Sequence, residues 1–228
     1  MKLSPKTVVP SALLTAILAL LTATFPGTAT AATTVITGGV ETISTTGAFL
    51  AGNSYGVDFT LSSAQQINAL GFWDQGFNGL GTSSYTVGLW QTSSPAMPIA
   101  LVTISNADAL DPTLTVAGGQ WRYETFPTLN LTSGTTYTMG FYTASDMSPA
   151  DSLLLDYPTL MTPSSVSALN FYRKDPASSS LVFPPFWTAA SNLYFAQVNA
   201  RFVPEPGSAG LVVLGSLMLL GRRRKTKD

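Results

Sequence analysis

Apolar and polar residues alternate over short runs through the middle of this chain. Tyr55, Val57, Phe59 and Leu61 recur at every second position, with Asp58 and Thr60 between them. Tyr85, Val87 and Leu89 follow the same rule, as do Tyr137, Met139 and Phe141 just after the turn-forming Ser133-Gly134. The longest run closes the region: Tyr194, Ala196, Val198, Ala200 and Phe202 fall on one face, Gln197, Asn199 and Arg201 on the other. Successive side chains of a strand point to opposite faces, so a period of two in β-branched and aromatic residues predicts half-buried strands. Further strands are predicted at 40–45, 66–73, 99–104, 120–126 and 167–173, and no amphipathic helix pattern occurs between 32 and 202. Many short strands separated by turn residues predict an all-β fold, a single antiparallel β-sandwich or jelly roll over residues 32–202. The stretches 105–119, 144–165 and 174–192 are rich in Asp, Pro, Ser and Gly and predict loops.

The two ends break the pattern. Lys2 and Lys6 precede a largely apolar run from Val8 to Leu21, and Ala29-Thr30-Ala31 supplies small residues for cleavage. This is the layout of a secretory signal peptide over 1–31, cut after Ala31 by signal peptidase. At the other end, Val203-Pro204-Glu205-Pro206 leads into fifteen uncharged residues, Gly207 to Gly221, then Arg222, Arg223, Arg224 and Lys225. As a helix that stretch is about 22 Å long at 1.5 Å per residue. It is short of the roughly 30 Å hydrocarbon core but able to span a thinned bilayer. The basic cluster fixes its end on the cytoplasmic side and makes residues 207–221 a transient contact with the inner membrane. Pro204 and Pro206 keep Glu205 out of a helix, in extended and accessible chain.

Composition then removes whole classes of chemistry. The chain has no histidine and no cysteine. Ser-His-Asp and Cys-His catalysis, disulfides and the usual zinc and copper sites are therefore excluded. Residues 32–202 carry four cations against ten acids, a net charge of −6 that the two basic ends conceal. Without a basic patch to neutralise phosphates, nucleic acid is not expected as a partner.

The tail from Val203 to Lys225 resembles the PEP-CTERM protein-sorting domain of Gram-negative bacteria in all three of its parts: motif, apolar helix and arginine run. The resemblance implies recognition by exosortase, a membrane-embedded cysteine protease or transpeptidase, and transfer to the cell surface or extracellular matrix. In the middle of the chain, three phrases stand out: Leu70-Gly71-Phe72-Trp73-Asp74, Val87-Gly88-Leu89-Trp90 and Leu131-Thr132-Ser133-Gly134-Thr135-Thr136-Tyr137. Together they look like exported β-sandwich domains of unknown function, including domain of unknown function 4082. That likeness implies a fold and no activity.

Three kinds of site are compatible with this composition. Paired carboxylates catalyse glycoside hydrolysis without histidine. Asp74, Asp108, Asp111, Asp146, Asp151 and Asp156 sit in loop-like contexts but form no glycosidase motif, and solvated loop acids are the simpler reading. Calcium takes several oxygen ligands from one short loop. Asp146 and Asp151 with Ser145 and Ser148, or Asp108 with Asn106 and Asp111, offer oxygens at no recognised spacing, so no metal and no cofactor is assigned. Exposed rings stack on sugars, and here Trp90 is the first choice. It is out of phase with Tyr85, Val87 and Leu89, so it should leave the apolar face, with Gly88 beside it keeping the ring open. Phe186 and Trp187, in the run Phe183-Pro184-Pro185-Phe186-Trp187, are the second.

The sequence thus predicts a non-enzymatic exported protein with a signal peptide (1–31), an ectodomain (32–202) and a sorting signal (203–228). Its role is structural or adhesive, at the cell surface or in an exopolysaccharide or biofilm matrix. A carbohydrate-binding module is the alternative and a secreted hydrolase a third reading.

Overall fold

The computed structural model describes residues 33–37, 49–81, 84–116, 118–147, 154–156, 162–176, 179–187, 193–195 and 197–204. The chain divides into two compact units, Ala31–Val203 and a second made of Met1–Thr30 with Pro204–Asp228. Only Pro204 of the second is among the described residues. The predicted signal peptide, the strand at 40–45, Glu205, Pro206, residues 207–221 and the cluster Arg222 to Lys225 lie outside them. Among the described residues no helix is long and apolar enough to cross a membrane.

The described residues are all-β. The first six strands are β1 (Asn53–Leu61), β2 (Gln65–Gln75), β3 (Ser84–Gln91), β4 (Ala100–Ser105), β5 (Leu110–Val116) and β6 (Gly119–Leu131). The next six are β7 (Thr136–Thr143), β8 (Leu154–Asp156), β9 (Val166–Pro176), β10 (Phe186–Trp187), β11 (Leu193–Phe195) and β12 (Val198–Phe202). They form a six-stranded sheet in the order β10-β9-β1-β7-β3-β4, a four-stranded sheet in the order β12-β2-β6-β5, and a β8–β11 pair. Every pairing among them is antiparallel.

The alternation read from the sequence builds the core. Tyr55, Val57 and Phe59 lie opposite Phe141, Met139 and Tyr137, and Phe141 and Met139 lie opposite Val87 and Leu89. Their side chains form one buried apolar layer across β1, β7 and β3. From the second sheet Phe72 stacks on Tyr85 at 3.9 Å and meets Phe141 edge-on at 5.2 Å. Val198, Ala200 and Phe202 join from β12, and Phe49 wedges against Tyr55 and Phe141. Each such side chain contributes roughly 1.5–3 kcal/mol by leaving water. The turn at Ser133-Gly134 is present. Gly134 takes a φ of 72°, its N–H donates to the Leu61 carbonyl at 2.8 Å, and the Tyr137 hydroxyl accepts from Thr132 N–H at 2.8 Å.

The second sheet is also buried on its far face. Trp73 and Trp121 are direct cross-strand partners and pack edge-on at 4.8 Å. Tyr123 lies over Gly71, where an added Cβ would meet the ring at 2.6 Å, and the Arg201 guanidinium sits 5.3 Å from its centroid. Burial and then the charge of Asp111 push the Tyr123 hydroxyl well above its ordinary pKa, so it stays neutral. The segment Thr33–Ile36 lies along β12. Val35 N–H donates to the Ala200 carbonyl, Phe202 N–H to the Thr33 carbonyl, and the Asn199 amide bonds both the N–H and the carbonyl of Ile36.

Several expectations are corrected. The run 194–202 is two strands in two sheets, β11 and β12, and two of its polar residues are not solvated. Gln197 and Asn199 are buried because their amides satisfy the backbone of Trp73 and Ile36. The predicted loop 105–119 contains β5, an edge strand in which Pro112 needs no ladder donor. The predicted loops 144–165 and 174–192 contain β8 and β10. Asp74, expected as a solvated loop acid, is a buried β2 residue that accepts from Arg122 Nη2 at 2.7 Å, Arg122 Nε at 2.8 Å and Gly79 N–H at 3.1 Å. Arg122 Nη1 also donates to the carbonyls of Asn106 and Asp108, so one guanidinium ties β6, β2 and the β4–β5 turn.

That latch predicts an asymmetry. Arg122→Met strands the buried Asp74 carboxylate and should cost about 3 kcal/mol in urea unfolding. The double variant Asp74→Leu/Arg122→Met should recover much of that loss, because no lone charge is left behind.

Candidate functional site

The outer face of the six-stranded sheet carries the residues that the sequence placed out of phase with the core. Three glycines lie there in one row: Gly88 pairs with Gly140, and Gly140 with Gly56. Side chains are missing at the same level of three adjacent strands, which leaves a trough. The Trp90 ring occupies one end of it. A Cβ on Gly88 would stand 2.5 Å from Trp90 Cη2, and one on Gly140 3.3 Å from Cζ3. Pro184 occupies the other end, 2.9 Å from the Cβ position of Gly56.

Pro184 belongs to a strap that crosses this face. Val182 N–H donates to the Ser54 hydroxyl at 3.1 Å, and the Phe183 ring packs edge-on against Trp90 at 6.0 Å. Trp90 therefore does leave the apolar face, as its phase predicts. It is not the open platform expected of it, for only 2% of its surface is exposed. The glycine that was to free the ring instead lets it sink onto the sheet, and the strap covers it. Pro184 is buried and Phe183 half-buried, while Phe186 and Trp187 form β10 beside Lys174 and Arg173 of β9, not a loop.

Polar groups on this face are matched in pairs. Thr138 Oγ1 donates to the buried Asp58 carboxylate at 2.6 Å, and the hydroxyls of Thr92 and Thr138 lie 2.9 Å apart. Those of Thr60 and Thr136 lie 2.8 Å apart. Asp58 is thus an anchored structural acid in a central strand.

Beside Trp90 the surface opens into a groove of about 820 Å³. Its walls are the turn Ser93–Pro98, Leu101 of β4 and Leu181–Phe183 of the strap. No ionisable side chain lines it. Sequence reasoning missed Leu101, Val182 and the 93–98 turn, since the groove forms only where the strap returns to the sheet. The one signal was the run of uncharged residues from Gln75 to Ala107.

Among the described residues, Asp108, Asn106 and Asp146 serve the backbone. Asp108 caps its own turn, accepting from Ser105 N–H at 2.6 Å, and Asn106 Oδ1 accepts from Leu80 N–H at 2.6 Å. Asp146 Oδ1 accepts from Ala51 N–H at 2.6 Å. Of the oxygens weighed as calcium ligands, those of Asp108, Asn106 and Asp146 each accept from a backbone donor, and among the described residues no group of three or more potential ligands converges. Asp151 lies outside the described residues, as do Pro206 and Glu205 of the sorting motif; Val203 is half-buried and Pro204 exposed. Glu124 carries a raised pKa, first through a hydrogen bond to the Asp108 side chain and then through burial and like charge. No protein-family model matches this chain, and no match is found among curated proteins.

Two outcomes follow from this geometry. Trp90→Ala should lower unfolding stability by about 3 kcal/mol, since it empties a filled trough. Glu124 binds its proton more tightly in the folded state, so its contribution is full below the ordinary glutamate range and is lost as pH rises through the raised value. Thermal unfolding across that window should show a gain on acidification that Glu124→Gln removes.

Proposed function

We propose that this chain is an exported surface or matrix protein without enzymatic activity, its ectodomain a β-sandwich and its destination set by the C-terminal signal. The observation that carries the reading is the tail itself. Val203-Pro204-Glu205-Pro206, an uncharged stretch and Arg222-Arg223-Arg224-Lys225 stand in the one order that serves as motif, membrane segment and stop signal. Where the fold ends is compatible with it. Val203 N–H makes a 2.7 Å bond to the Gln66 carbonyl, and the exposed Pro204 follows directly. On this reading signal peptidase removes residues 1–31, the stretch 207–221 holds the inner membrane transiently, and exosortase acts at the motif. The absence of histidine and cysteine, and carboxylates that among the described residues form no group of three, favour a structural or adhesive role, next to exopolysaccharide, over hydrolysis.

One observation favours a second reading, a carbohydrate-binding module. The groove beside Trp90 and Phe183 is uncharged and roomy, which suits a neutral sugar chain. Contact there would be apolar, so binding should survive high salt and be lost in Phe183→Ala.

The main reading is tested by intact mass of the protein recovered from the surface of exosortase-positive cells. Loss of residues 1–31 and of the tail beyond the motif is expected. Neutral replacements at Arg222, Arg223, Arg224 and Lys225 should leave the protein mis-sorted. Recovery of the native chain with Arg222 to Asp228 still attached would overturn the reading.

A further inference from the structure

A sheet edge presents unpaired backbone donors and acceptors, and proteins blunt such edges with charge, proline, bulges, short strands or a covering segment. The described strands of the two larger sheets do so almost everywhere. Two chain ties close the edge of β12, where Thr34 bridges Arg201 and Val35 bonds Ala200. β5 carries Asp111 and Pro112 and loses register between Leu110 and Thr115, and the stretch of β6 beyond β5 carries Glu124 and Pro127. On the far side of the larger sheet, β9 shifts register twice against β1, carries Arg173, Lys174 and Asp175, and is capped by the two-residue β10.

The exception is β4. Among the described residues it pairs only with β3, along six residues without a register shift. It reads Ala-Leu-Val-Thr-Ile-Ser, with no charge and no proline. The nearest charged residues in the chain are Asp74 and Asp108. Val102 and Ile104 are buried in the core, whereas Thr103 is exposed and Leu101 is 57% exposed. Met97, Ile99 and Val182 are exposed as well, so of the six large exposed hydrophobics among the described residues four fall on this one corner.

We propose that β4 is an assembly edge, on which the β4 of a second copy of this chain adds antiparallel and continues the six-stranded sheet. A second copy is the occupant the chemistry fits. Two identical antiparallel strands meet about a two-fold axis, each presenting the same residues to the other. The ectodomain carries a net charge of −6, so copies repel over most of their surface. β4 lies in the one long segment without charge, where two copies approach at least cost. Pairing would also cover Leu101 and Ile99. The inference rests on the sheet edges alone and stands or falls apart from the sorting reading.

The absence of cysteine gives a clean test, because one introduced thiol is unique. Leu101→Cys, Thr103→Cys and, as control, Ser133→Cys in the exposed β6–β7 turn are expressed as the full chain and oxidised in detergent. At least one β4 variant, alone or in an equimolar mixture of Leu101→Cys with Thr103→Cys, should give a disulfide-linked dimer, since residues opposed about the two-fold axis lie within disulfide reach. Ser133→Cys should not. In sedimentation the cysteine-free chain should run at dimer mass and Thr103→Lys at monomer mass, with an unchanged circular dichroism spectrum. Equal cross-linking at Ser133, a monomer mass for the native chain, or a dimer untouched by Thr103→Lys would each overturn the proposal. If Thr103→Lys does not fold, the cross-linking comparison decides alone.

Discussion

The constraint on which this structure depends is that the central strands β1, β7 and β3 are buried on both faces. One face meets the second sheet through Phe72, Tyr85 and Phe141. The other is sealed by the strap, and sealing it requires the row Gly56, Gly140, Gly88. With any side chain at Gly56 or Gly88, Pro184 or Trp90 would have to lift away. Burial on both sides then dictates the polar chemistry of the face. Asp58 cannot reach water and is held by Thr138, and Ser54 serves the strap backbone. The glycines, the tryptophan and the paired hydroxyls are one solution to a single packing problem.

This explains which parts of the fold were legible in the sequence. Strict alternation in β1, β3 and β7 identified the strands and their core faces, because a period of two reports one buried face whatever happens on the other. It could not report the second burial. Asp58 and Trp90 read as outward residues, and outward was taken as wet. Trp90 was the more misleading, since a glycine two residues away signals an open ring and a deeply seated ring equally well. β5 escaped because Asp111 and Pro112 are turn formers by composition, and only their place at a sheet edge makes them strand residues. Asp74 was legible as an acid and not as half of a latch, since its partner Arg122 is far off in sequence and adjacent only across β2 and β6.

The charges are distributed in a way that bears on function. Cations within the ectodomain are few, and two of the four are committed: Arg122 to Asp74, Arg201 to the Tyr123 face. The segment from Gln75 to Ala107 forms β3, β4 and part of the groove wall without one charged residue. A surface of this kind is suited to neutral, apolar or backbone-mediated contact and poorly suited to recognising ions. It therefore weighs against phosphate-bearing or strongly anionic ligands on that side of the molecule.

The hydrogen bond from Val203 N–H to the Gln66 carbonyl leaves no slack between the last strand and Pro204. Any tension on the chain beyond Pro204 is delivered straight to β12. That strand lies between β2 on one side and Thr33–Val35 on the other, antiparallel to both. A pull along its axis shears both ladders at once and does not peel them bond by bond. Rupture along that axis then requires the bonds of both ladders to fail together.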